Sequence, residues 1–333
     1  MRALELPQAD YAVITPYLVP AGPKRVNVGD GFILDSALRL IGRSPRAVFS
    51  SRAPLSAAEI ARINALRFVL VVGANTLKDE FEITPGFDLT TLNSIRVPVV
   101  LLGVGHYGTI QQTLGLTVSS IDLLRALLER FPWMSVRCHA SRRYVVRALP
   151  DLADKVLMTS CPVVHAVDGV DGAFRVRAPI RQLVVTVTDR GELDASVELL
   201  RSAAEHFSAE RKVLALHQDY GRRDLWRIAE DLGFEVFRSE RCDDFLALYR
   251  DTDVHFGNRV HAHLKCLSLG VRSFCAPYDL RQLFFAESLG YPLVPQWPDP
   301  AIDTCDFAAI AARRDAFRVV MDRFVAALRA MLD

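Results

Sequence analysis

Short runs of valine, isoleucine and leucine recur along the chain, each followed by a stretch whose apolar positions return every three or four residues. The runs predict strands at Phe68–Val72, Val99–Leu102, Met134–Val136, Val156–Met158, Leu183–Val187, Val213–Leu216, Glu235–Phe237, Val254–Phe256 and Ser273–Cys275. The periodic stretches predict helices over Gly31–Leu40, Ala57–Leu66, Ile121–Phe131, Ala140–Ala148, Leu193–Phe207, Arg222–Leu232, Asp243–Tyr249, Val260–Leu269 and Leu280–Leu289. A long final helix covers roughly Phe307–Leu332. Strands apolar on both faces, alternating with helices, are what parallel sheets covered on both sides require. The expected class is α/β.

The segment Asp168–Arg181 breaks this rhythm, with Gly169, Gly172, several charges and Pro179. It reads as a linker between an N-terminal α/β domain, residues 1–167, and a C-terminal α/β domain, residues 182–333. The final helix is free to pack back on the N-terminal domain. The length of 333 residues suits two domains. Two Rossmann-like domains facing a cleft would bring the carboxyl ends of both sheets together, where open α/β sheets bind ligands.

Charge narrows the partners. Lys plus Arg number 40 and Asp plus Glu 39, a formal net charge of +1 without a block of one sign. No general attraction to nucleic acid follows, so any anion must be held by a few placed groups. The six cysteines are scattered, with no C-x-x-C pair and no zinc spacing, and read as reduced thiols. The first residues carry no apolar segment of the kind a secretory signal needs. The longest apolar runs are too short to span a bilayer. A cytoplasmic, metal-independent protein is expected.

Four segments carry candidate chemistry. Asn27-Val28-Gly29-Asp30-Gly31 precedes an apolar helix; Asp30 is expected as its N-cap, and glycines at a helix N-terminus allow an anion to approach. The strand Phe68–Val72 runs into Gly73-Ala74-Asn75, and Val99–Leu102 into Gly103-Val104-Gly105-His106. These glycines do not form a dinucleotide fingerprint. Arg137 ends the short strand Met134–Val136, where its guanidinium could grip a carboxylate or phosphate. The strongest segment is Gly257-Asn258-Arg259-Val260-His261-Ala262-His263-Leu264. Here Arg259 and His261 sit at the front of an apolar helix, a position where cations oppose the helix dipole. A bound anion would resolve that conflict. His255 and His263 read as core histidines. Tyr278 and Arg281 lie at the start of the next helix.

In this order (N-x-G-D early, S-V-R in mid-chain, then R-x-H-A and Y-x-x-R) the chain resembles the polysaccharide pyruvyl transferase family, from about Asn27 to Gly290. It departs from the family's pattern in having Cys138-His139 after Arg137, Cys161 before Pro162, and Arg281 in place of a lysine. The resemblance implies a glycosyltransferase-B-like fold. It also implies transfer of a pyruvyl group from phosphoenolpyruvate to a sugar as a ketal, with no cofactor beyond that donor. The acceptor would be a cell-surface polysaccharide or its lipid-linked oligosaccharide precursor, reached by peripheral contact with a membrane. His261 and Asp30 would move protons. Asn27, Gly29, Asn75, Arg137, Asn258, Arg259, Tyr278 and Arg281 would bind substrate. Two other readings suit the same residues: a glycosyltransferase of this fold using a nucleotide sugar, and a family member that binds a glycan or metabolite without turnover.

Overall fold

A computed structural model of the chain describes residues 6–18, 26–73, 75–106, 115–165, 174, 178–188, 193–218, 221–294, 302 and 304–333. The chain divides into two compact units. The first comprises residues 1–24, 33–165 and 314–333, and the second residues 25–32 and 166–313. Most of the expected linker, Asp168–Arg181, lies outside the described residues.

The first unit contains strands β1 (Gln8–Thr15), β2 (Ser44–Ser50), β3 (Phe68–Val72), β4 (Val99–Leu102), β5 (Met134–Val136) and β6 (Val156–Met158). Its helices are α2 (Ala57–Asn64), α3 (Leu89–Ser94), α4 (Val118–Arg130) and α5 (His139–Ala148). Helix α1 (Val28–Ile41) has its first residues, through Phe32, in the second unit and the rest in the first. The sheet runs β2-β1-β3-β4, all parallel. A parallel bridge between Val104 and Val136 continues it to the β5-β6 pair. Every residue of β3 and β4 is buried, which is why both read as continuous apolar runs.

Two strands escape that reading. β1 begins Gln8-Ala9-Asp10, so only Tyr11–Ile14 carries the apolar signal, yet these four residues are fully buried between β2 and β3. β2 lies at the sheet edge, where Ala47 and Phe49 face inward and Val48 outward. Helix α3 also goes unsignalled by periodicity; it starts because the Asp88 side chain accepts from the Thr91 N–H at 2.8 Å.

The second unit contains β7 (Ile180–Thr186), α6 (Leu193–His206), β8 (Ala209–Leu216), α7 (Arg223–Asp231), β9 (Phe234–Arg238), α8 (Cys242–Arg250), β10 (Val254–Gly257), α9 (Val260–Ser268), β11 (Arg272–Cys275) and α10 (Leu280–Leu289). Helix α11 (Phe307–Ala330) starts in this unit, and from Arg314 onward it groups with the first. β7 begins at Ile180, inside the segment expected as linker. The carboxylate of Asp253 explains this, because it accepts from the N–H groups of both Arg181 and Gln182 and so pins the polar start of the strand.

The sheet order is β11-β10-β7-β8-β9, all parallel. The chain winds outward in one direction from β7 through β8 to β9, then returns to the other side of β7 with β10 and β11. The order therefore reverses between β7 and β10, and the carboxyl ends of these two strands are where a ligand crevice is expected. Gly257 ends β10 there, and no other residue fits: a Cβ would lie 2.0 Å from the Thr186 carbonyl oxygen. Each fully buried Val, Leu or Phe of this core, among them Val185, Leu214 and Phe256, contributes about 1.5–3 kcal/mol.

Candidate functional site

At that reversal the second unit carries a small polar hollow lined by Asn27, Gly29, Thr188, Asn258, Arg259 and His261, together with His217, Val260, Tyr278 and Arg281. Strand ends and helix starts build it. The Asn258 N–H donates to the Thr186 carbonyl at 3.0 Å, and Asn258 Oδ1 accepts from the Thr188 N–H at 2.7 Å. Asn258 thus ties the turn after β10 to the end of β7. The Asn258 carbonyl in turn accepts from Gln282 Nε2 at 2.7 Å, which docks the start of α10. Arg259 Nε donates to the Val187 carbonyl at 3.2 Å.

The early motif enters the same hollow. The Val28 N–H donates to the His217 carbonyl at 3.0 Å, fixing the start of α1 against the end of β8. Gly29 then lies against the His261 ring: a Cβ on Gly29 would sit 3.2 Å from Nδ1 and 3.3 Å from the His261 Cβ. A side chain at position 29 would therefore press on the His261 ring by a few tenths of an ångström. The helix starts three residues earlier than expected, so Asp30 is not its N-cap. Asn27 takes that place, its Oδ1 accepting from the Gly29 N–H at 3.2 Å, and Asp30 falls in the first turn without lining the hollow.

Helix starts give the hollow an anion-binding character. α10 is closed by a capping box from Asp279 and Gln282. α9 begins at Val260, and its N-cap residue Arg259 supplies no side-chain oxygen to offset the positive end of the helix dipole. Arg281 is paired with Asp279, Nε to Oδ1 at 3.0 Å, which tempers its charge, whereas Tyr278 is half exposed. His261 is in the first turn of α9 and only 7% exposed.

Sequence reading did not single out His217 or Thr188. Each follows directly on the apolar end of an expected strand, a position with no periodicity to flag it. Burial holds His217 neutral, well below the usual imidazole range, and the charges of Arg259, His255 and His261 act in the same direction. His255 and His263 are core residues. His255 Nε2 bonds Thr186 Oγ1, and both His255 Nδ1 and His263 Nδ1 bond Ser273 Oγ at 2.7 Å. Burial pushes His255 down to about 3 and His263 well below its ordinary value.

Asn75 and Arg137 belong to the first unit and form a cluster of their own. Arg137 is buried and donates from Nη2 to Asn75 Oδ1 at 2.7 Å and to the His106 carbonyl at 2.9 Å. It lies across Gly105, where a Cβ would fall 1.8 Å from Nε. The His106 ring packs on Tyr144 at 4.6 Å, and burial together with Arg137 lowers its pKa. No group of three or more possible metal ligands occurs among the described residues. No helix among them is long and apolar enough to cross a membrane.

Two α/β units, each with a parallel sheet, and a cationic hollow at the strand-order reversal of the second define a protein of the glycosyltransferase-B-like fold. Solved structures of similar fold include a putative UDP-N-acetylglucosamine 2-epimerase from Listeria monocytogenes, with TM-score 0.56 and 11% identity over 97% of this chain and 96% of that one. The UDP-N-acetylglucosamine 2-epimerase from Rickettsia bellii gives 0.54 and 10% over 98% of both chains. The wall teichoic acid polymerase TagF gives 0.50 and 10% over 97% of this chain and 88% of that one. At such identities the likeness concerns the fold alone. No curated protein matches the sequence. A model of the polysaccharide pyruvyl transferase family matches residues 27–279, and the chain belongs to that family.

Proposed function

We propose that the protein transfers the pyruvyl group of phosphoenolpyruvate to two hydroxyls of one glycan sugar, forming a ketal. Family membership supports pyruvyl transfer to a polysaccharide. The observation that carries the donor assignment is the meeting of Asn27-Val28-Gly29 with Asn258-Arg259-Val260-His261 at the uncapped start of α9. Phosphoenolpyruvate offers a carboxylate and a phosphate. Arg259 and the α9 N–H groups are complementary to one of these, and the Tyr278–Arg281 turn to the other.

The chemistry is balanced without oxidation or reduction. A proton is delivered to the methylene carbon, which becomes a methyl group, and C2 becomes electrophilic. One sugar hydroxyl forms a C–O bond to C2, and the C2–O bond to phosphate breaks with its electron pair. The second hydroxyl closes the ketal. The two hydroxyl protons end on the methyl carbon and on phosphate or solvent. His261 is assigned the proton delivered to carbon, which it regains from a sugar hydroxyl, while the departing phosphate takes the other hydroxyl proton. The acceptor is a polysaccharide or a lipid-linked precursor, approached at the membrane surface.

Donor binding is testable by thermal denaturation. Phosphoenolpyruvate at a hundredfold excess over its Kd should stabilise the wild type by about 2.7 kcal/mol. Arg259→Lys keeps the charge but loses the two-pronged grip, and should weaken binding about tenfold. A nucleotide sugar that stabilises the protein where phosphoenolpyruvate does not would assign the hollow to a glycosyl donor instead.

A further inference from the structure

Beside the anion hollow, still within the second unit, lies a larger cavity of about 320 Å³ at the carboxyl ends of β8 and β9. Its walls include Leu216, His217, Gln218, Arg238, Ser239 and Glu240. His217 lines both cavities, so the two adjoin across one side chain.

We propose that this second cavity is the acceptor subsite and takes one sugar of a neutral glycan, with its diol turned toward the donor hollow across His217. The proposal rests on the transfer reading above. Ketal formation needs an anionic three-carbon donor beside a polyhydroxyl ring, and the two cavities differ in that sense. The first has Arg259 and the positive end of the α9 dipole. The second balances one cation, Arg238, against one anion, Glu240, and adds an amide and a hydroxyl. Side chains of these types, which can both donate and accept in pairs, suit vicinal hydroxyls rather than a phosphate. The volume lies within the range of small-molecule sites, about 300–1,000 Å³. The guanidinium of Arg238 is steadied over the Trp226 ring at 4.2 Å, and Gln218 is 5% exposed, so part of the wall is preformed.

His217 has a definite role in this arrangement. The buried Tyr249 hydroxyl bonds His217 Nε2, and burial holds that hydroxyl protonated. A buried hydroxyl proton needs an acceptor, so Tyr249 donates and Nε2 accepts. The ring proton is therefore on Nδ1, and the neutral imidazole has one N–H to offer a substrate oxygen.

The test uses the full chain and four probes: the methyl glycosides of galactose, glucose, mannose and N-acetylmannosamine, each read by saturation-transfer NMR in the presence of phosphoenolpyruvate. At least one glycoside should receive saturation from the wild type. Glu240→Gln and Gln218→Leu should each raise its Kd about tenfold, with the thermal shift by phosphoenolpyruvate unchanged. Arg259→Lys should do the reverse. Glycoside binding that survives both cavity variants overturns the proposal, as does a wild type that binds phosphoenolpyruvate and none of the four glycosides. Displacement of the glycoside by uridine diphosphate would give the cavity to a nucleotide and also overturn it. If phosphoenolpyruvate fails to stabilise the wild type, the transfer reading fails; a glycoside still lost in Glu240→Gln would then keep the cavity as a glycan site on its own evidence.

Discussion

His261→Gln is expected to lose at least about a hundredfold in turnover while the protein still folds, the usual lower scale for removing a positioned acid or base. His261 occupies the first turn of α9, with its ring against Gly29 and its side chain at the hollow. Glutamine nearly matches the imidazole in reach and keeps an N–H donor, but it cannot give and regain a proton. Alanine is the poorer test. At 7% exposure the imidazole fills space within a wholly buried helix, so truncation would add a void to the loss of chemistry. The neighbouring histidines offer no substitute: burial keeps His217, His255 and His263 neutral far below pH 7. Steady-state turnover and a melting curve on the same preparation check this. Near-normal turnover in His261→Gln would show that His261 only positions substrate and that another group delivers the proton.

Acid should destabilise the fold well before the carboxylates titrate. His165, His217, His255 and His263 are buried, and burial lowers each pKa, to about 4 for His165 and about 3 for His255. In the unfolded chain each returns to about 6.5. Below that value the unfolded state takes up protons that the folded state refuses, so the contribution of these residues is present above pH 6.5 and is lost as the pH falls toward their folded values. Between pH 7.5 and 5.5 the loss is about 1.4 kcal/mol per histidine, on the order of 5 kcal/mol for the four. A protein of this size should melt at least about 5 °C lower at pH 5.5 than at pH 7.5. A melting temperature that is equal or higher at pH 5.5 would show that these imidazoles are not held neutral.

The sheets were legible where burial on both faces erases polar residues. β3, β4, β5 and β6 match the expected bounds for that reason. β1 was not, because its apolar stretch, Tyr11–Ile14, is short and its pairing with β2 and β3 is tertiary information. In the site, Asn258, Arg259 and His261 stood out because cations at the front of an apolar helix contradict the dipole unless a ligand resolves the conflict. His217 did not, since one histidine after a strand carries no pattern. That residues 25–32 group with the second unit was equally hidden. It depends on the Val28 N–H finding the His217 carbonyl far along the chain, and no local property of Asn27-Val28-Gly29 announces that partner. Asp30 misled as a cap because Asp and Asn are about equally good N-caps, and only the observed Asn27–Gly29 bond chooses between them.

The proposed reaction moves an intact pyruvyl unit from phosphoenolpyruvate to two hydroxyls of one sugar. Mass spectrometry of a panel of glycosides and lipid-linked oligosaccharides, incubated with phosphoenolpyruvate and the wild-type protein, tests it most directly. The expected product carries one carboxyethylidene group, forms with one equivalent of inorganic phosphate and is absent with His261→Gln. Glycosyl transfer from a nucleotide sugar in the same panel, with phosphoenolpyruvate left intact, would contradict it.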